Sequence, residues 1–95
     1  MSQSTVQLQN ENLSTNSGGY SVVLHNDDHT PYALVVQTLM VATGCPKDEA
    51  EIETWEAHHF GKSQVHFSGQ SECEAIASVI GRAGIVATVE PEWND

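Results

Sequence analysis

Basic side chains are nearly missing from this chain: Lys47, Lys62 and Arg82 stand against thirteen carboxylates, giving a formal charge of −10 over 95 residues. Binding nucleic acid needs a basic face that releases phosphate counterions, and three scattered cations make none, so nucleic acid is excluded as a partner. An anionic membrane surface is excluded on the same ground. Also missing is any apolar run near the ~20 residues that a membrane span requires. No basic stretch followed by an apolar run opens the sequence, so a cytoplasmic protein without a secretory leader is expected. The two cysteines, Cys45 and Cys73, lack a CxxC spacing and read as reduced thiols. What the acidic balance favours is a cationic ligand or a basic partner surface, although it also suits simple solubility.

The first nineteen residues are short of apolar side chains. Only Val6, Leu8 and Leu13 are sizeable between Met1 and Gly19, amid Ser, Gln, Asn and Thr. That is too little to offset an ordering cost of ~1–2 kcal/mol per residue, so residues 1–19 are expected to form a disordered extension and residues 20–92 the folded domain.

Within that domain Tyr20-Ser21-Val22-Val23-Leu24-His25 reads as a strand. Thr30 suits an N-cap and Pro31 the first helical position. Val35, Val36, Leu39, Met40 and Thr43 recur at helical spacing, and Gly44 stops that helix. A second helix is expected from Pro46 to about His59, with acids in its first turns, Gly61 at its end, and Ala50, Thr54, Ala57 and His58 on its inner face. Lys62 to Phe67 alternates as a strand. Ser71 and Glu74 have capping-box spacing before a third helix marked by Ala75, Ile76, Val79, Ile80 and Ala83, with Gly84 as its stop. Ile85 to Glu90 reads as a last strand, followed by an exposed acidic end, Pro91–Asp95. The order predicts an α+β fold, a small β-α-α-β-α-β sandwich with three helices packed on a three-stranded antiparallel sheet. Such a small domain has room for a shallow pocket only.

The chemistry gathers in His25-Asn26-Asp27-Asp28-His29-Thr30-Pro31, a polar loop between the first strand and the first helix. With His58-His59 it holds enough nitrogen and oxygen donors for zinc, but no HxxxH, HExxH or Cys/His spacing is present, so no metal is expected. A carboxylate beside an imidazole suits general base catalysis, yet Ser63 and Thr30 have no nucleophile motif around them. Carboxylate, amide oxygen and neutral imidazole are also the acceptors an ammonium group needs. Equally, Asn26, Asp27 and Thr30 are good turn and cap residues. From spacing alone the turn-and-cap reading is the favoured one.

Three stretches shift the balance: Y-S-V-V-L-H-N-D-D-H-T-P from Tyr20 to Pro31, E-A-H-H-F-G-K from Glu56 to Lys62, and A-T-V-E from Ala87 to Glu90. With them the chain resembles the ClpS family, the bacterial adaptors of the N-degron pathway, over residues 20–90. The resemblance implies an adaptor, not an enzyme and without a cofactor. Such an adaptor binds the free N-terminal residue of a substrate and hands it to an AAA+ Clp unfoldase joined to a peptidase. By that resemblance Asn26, Asp27 and His58 hold the α-ammonium group. Asp28, Thr30, Tyr32, Val35, Thr54, Ala57 and Ile85 form the pocket for the first side chain, and residues 1–19 match the family's N-terminal extension.

The chain departs from the family pattern in three pocket residues. Tyr32 stands where a Met commonly gates the pocket, Thr54 also replaces a Met, and Ala57 replaces a Val. A wider pocket is implied, for Phe, Tyr, Trp or Leu as first residue. Gln70 and Ala75 fall where the family often carries charged contacts to the unfoldase. The competing reading is a general protein-interaction module on the same frame, similar to the C-terminal domain of the ribosomal stalk protein.

Overall fold

The computed structural model describes residues 19–92, and the expectations for residues 1–18 and 93–95 lie outside them. The elements run β1 (Tyr20–His25), α1 (Tyr32–Thr43), α2 (Lys47–Phe60), β2 (Lys62–Ser68), α3 (Gln70–Arg82) and β3 (Ala87–Pro91). The three strands form one antiparallel sheet in the order β2-β1-β3, with the helices packed on it, as the element order predicts.

Because β1 is the central strand, its apolar run is buried almost throughout, Ser21 to Leu24. Val22 and Leu24 face Leu39 and Val36 of α1, Ala50 and Ala57 of α2, and Cys73, Ile76 and Ile80 of α3 in one core. An irregularity in the β1–β2 ladder, where Val22 pairs with His66 but Val23 with Gln64, leaves Val65 without a partner residue on β1. Val65 is buried in the core, so the bulge aims one more apolar side chain inward.

Four expectations are corrected. Thr30 is not the N-cap of α1. Its hydroxyl donates to the Asp27 carboxylate at 2.9 Å, an ionised and therefore stronger acceptor, and Pro31 takes the cap position with extended backbone. The Ser71–Glu74 capping box does not form, because α3 begins two residues earlier, with Gly69 at the cap, and Glu74 accepts from the Gln70 amide instead. β3 starts at Ala87 rather than Ile85; Ile85 is drawn into the core and Val86 already accepts from the His25 N–H. His58, expected on the inner face of α2, is exposed, while Ala50, Thr54 and Ala57 are buried there.

Gly61 has φ +90°, the left-handed conformation that ends α2. Its N–H donates to the Ala57 carbonyl, and its own carbonyl accepts from the Asn26 N–H at 3.0 Å. The C-terminal turn of α2 is thereby fastened to the residue where β1 gives way to the polar loop.

Candidate functional site

The loop after β1 is built around one carboxylate. Asp27 Oδ1 accepts from the N–H groups of His29 and Thr30 at 2.8 and 2.6 Å, and Oδ2 accepts from the Thr30 hydroxyl at 2.9 Å. An aspartate reaching two residues ahead in this way makes a turn that the backbone alone would not hold. The Thr30 N–H, then the His29 N–H and the Thr30 hydroxyl, keep the Asp27 carboxyl below its usual pKa, so it is an anion at neutral pH. Oδ2 keeps acceptor capacity for one more donor. Among the described residues no hydrogen bond engages the side chain of Asn26 or of His58.

This loop, α1, α2 and the lead-in to β3 enclose a hollow of about 210 Å³. Each residue named from the sequence borders it: Asn26, Asp27, Asp28 and Thr30 from the loop, Tyr32 and Val35 from α1, Thr54, Ala57 and His58 from α2, and Ile85. Thr54 gives its hydroxyl to the Ala50 carbonyl at 2.7 Å and so adds an essentially apolar wall beside Val35, Ala57 and Ile85. Tyr32 crosses from α1 to α2, its hydroxyl donating to the Glu51 carbonyl at 3.1 Å. Two further residues border the hollow that the sequence does not single out for it, Leu24 and His25. Leu24 reads as plain strand core, and only its position at the end of β1 hints at a second role.

The other chemistries find less support in the geometry. The histidines and carboxylates of the loop do not converge as a set of metal ligands. Among the described residues the group whose ligand atoms lie within 4.8 Å of one another is Cys45, Glu49 and Glu53, at the start of α2. His25 is engaged with the Thr88 hydroxyl at 2.8 Å. Ser63 donates to Glu56 and is buried outside the hollow. No described helix is long and apolar enough to cross a membrane.

A family model described as ATP-dependent Clp protease adaptor protein ClpS matches residues 15–85. This chain belongs to the ClpS family. The ATP-dependent Clp protease adapter protein ClpS of Gloeobacter violaceus is 34% identical over 76 residues, spanning 77% of this chain and 80% of that protein. The structure of Agrobacterium tumefaciens ClpS2 bound to L-phenylalaninamide superposes with a TM-score of 0.77 at 27% identity, covering 82% of this chain and 100% of the other. ClpS proteins are adaptors of the Clp protease, a family of binders and not of enzymes. The three-helix, three-stranded frame is common to this chain and ClpS2.

Proposed function

We propose that this chain binds the free N-terminal residue of a protein or peptide and brings the bound chain to an AAA+ Clp unfoldase. The observation that carries the reading is the meeting of Asn26, Asp27 and His58 around one hollow whose remaining wall is mostly apolar. An α-ammonium group has three donors and no acceptor. The anionic Asp27 Oδ2, the Asn26 amide oxygen and a neutral His58 ring supply three acceptors of the right kind. Next to them Val35, Thr54, Ala57 and Ile85 take the first side chain. A hollow of about 210 Å³ is below the ~300–1,000 Å³ of sites for drug-sized molecules, and it suits one amino-acid side chain. L-Phenylalaninamide, the ligand named with ClpS2, carries the same two features, a free ammonium and an apolar side chain.

The energetics are consistent. Charge-assisted hydrogen bonds contribute about 1.5–3 kcal/mol each, and burial of a Leu- or Phe-sized side chain adds about 1.5–3 kcal/mol. After the cost of association, micromolar affinity, about −8 kcal/mol, is the expected range. Fluorescence polarisation with peptides that differ only in the first residue tests the reading. Peptides beginning with Phe, Tyr, Trp or Leu should bind and their N-acetylated twins should not. Binding that survives acetylation, or that ignores the first residue, overturns the ammonium assignment and favours a general interaction module. Delivery is tested separately, by degradation of a Phe-initiated reporter in a reconstituted Clp unfoldase–peptidase with and without this chain.

A further inference from the structure

The large apolar side chains of α2 are not the ones it buries. Its inner stripe is made of small residues, Ala50, Thr54 and Ala57, whereas Trp55 and Phe60 stand at the surface, 47% and 70% exposed. Trp55 and His59 are four residues apart and so lie one above the other on the helix. Their rings stack, with centroids 4.1 Å apart and planes at 27°. The His59 Nδ1–H donates to the Trp55 carbonyl at 3.0 Å, which holds the imidazole against the indole. Phe60 meets the indole edge-on at 5.8 Å. On the other side the His59 ring meets the His58 ring at 5.3 Å and 78°. His58 borders the hollow described above. An unbroken run of rings therefore leads from the rim of that hollow over the surface of α2.

What covers these rings follows from the continuity of the bound chain, and this inference rests on the N-terminal-residue reading above. With the ammonium group at Asn26, Asp27 and His58 and the first side chain in the hollow, the rest of the peptide has to leave over the rim. The loop border carries the carboxylates of Asp27 and Asp28, and the α1 border is bridged by the Tyr32–Glu51 hydrogen bond. The His58 border opens on aromatic rings. Terminal segments are seldom folded, and successive side chains of an extended chain point to opposite sides. The second side chain then turns to solvent and the third faces the protein, about 7 Å from the first. One step of 5.3 Å leads from His58 to His59 and another of 4.1 Å to Trp55, so the stack begins within that reach. Rings already fixed against one another lose little freedom on being covered, and they favour a flat apolar partner. A second copy of this chain would instead set the five carboxylates of α2 against five more. We propose that the His59–Trp55 stack is a second specificity site, which takes an aromatic side chain at the third position of the bound chain.

Two peptides test this, Phe-Ser-Tyr and Phe-Ser-Ala followed by one common tail, each with a free amine. By fluorescence polarisation wild type should bind the Tyr peptide about three- to tenfold tighter. The indole N–H resonance of Trp55 should shift more with the Tyr peptide than with the Ala peptide. Trp55→Ala should bring the two affinities together, and Trp55→Phe, which keeps a ring, should retain part of the difference. Equal affinity of wild type for the two peptides, while a Ser-initiated peptide still fails to bind, overturns this second site and leaves the N-terminal-residue reading standing. Loss of the first-residue dependence itself brings down that reading and this site with it. A Tyr preference that persists in Trp55→Ala overturns the second site as well, as does self-association in sedimentation that Trp55→Ala abolishes.

Discussion

The Asn26 N–H donates to the Gly61 carbonyl at 3.0 Å, and this one main-chain bond ties the exit of the central strand to the end of α2. It brings a loop residue and His58, three residues before Gly61, to the border of the same hollow. Gly61 has φ +90°, and a methyl group added there would meet nothing within 4 Å, so an alanine is opposed by backbone conformation alone. Gly61→Ala should therefore cost about 1–2 kcal/mol and reduce the affinity for Phe-initiated peptides. Gly81→Ala, within α3 at an ordinary φ and also in open space, should instead stabilise by about 0.5–1 kcal/mol. Urea midpoints of the two variants, moving in opposite directions, check both statements.

Asp27 has two separable duties in the proposed site. It holds the loop through the His29 and Thr30 N–H groups, and it supplies negative charge. Asp27→Asn retains an oxygen for the two N–H groups but loses the charge; Asp27→Ala loses both. Affinity for Phe-initiated peptides should fall at least about tenfold in Asp27→Asn and further in Asp27→Ala. Asp28→Ala, which leaves those bonds intact, should cost less than either. The Asp27 pKa is depressed, so its contribution is complete above the ordinary carboxylate pKa and fades only as pH falls through the lowered value. Wild type should keep this part of its affinity at about pH 5, measured against Asp27→Asn at each pH.

Much of this molecule is legible in the sequence where apolar spacing and chain stops agree. Val36 with Leu39, Ala50 with Thr54 and Ala57, and Ile76 with Ile80 sit at helical intervals and are the buried stripes. Gly44 and Gly61 end two helices in the left-handed conformation that glycine accepts most readily. What escapes is anything decided by competition between polar partners. Thr30 looks like a cap until Asp27, three residues back, takes its hydroxyl. Ser71 and Glu74 have the right interval, but α3 already starts at Gln70, so Ser71 lies inside its first turn and cannot cap it. The hollow's border residues follow from motif positions, whereas the Tyr32–Glu51 tether depends on the distance between two helices, which no spacing encodes.

Ala57 and Thr54 are buried at the hollow's wall, so added methyl groups there have nowhere to go but into the space for a ligand. Ala57→Val should narrow it and shift preference from Trp toward Leu, since one methylene of mismatch in an apolar pocket is worth about 1–3 kcal/mol. The ranking of first residues by fluorescence polarisation, compared between wild type and variant, reads the change directly. An unchanged ranking with uniformly weaker binding would separate Ala57 from side-chain selection.

Glu53 gives the fold a pH dependence of its own. Burial, followed by the charge and hydrogen bond of Glu49 and the charge of Glu56, raises its pKa from 4.5 to about 7, and its Oε1 is buried without a partner. A carboxyl with a raised pKa in the folded state binds more protons there than in the unfolded chain, so its effect on stability is most favourable at low pH. Stability should decline as pH rises between about 4.5 and 7 and level off above that. Since the side chain remains partly in water, the loss is screened to the order of 1 kcal/mol. Glu53→Gln keeps the shape without the charge and should raise the thermal midpoint above pH 7 while leaving it nearly unchanged near pH 4.5. Melting curves of both proteins across that interval test it: parallel pH profiles would mean that Glu53 ionises in the fold as freely as in the unfolded chain.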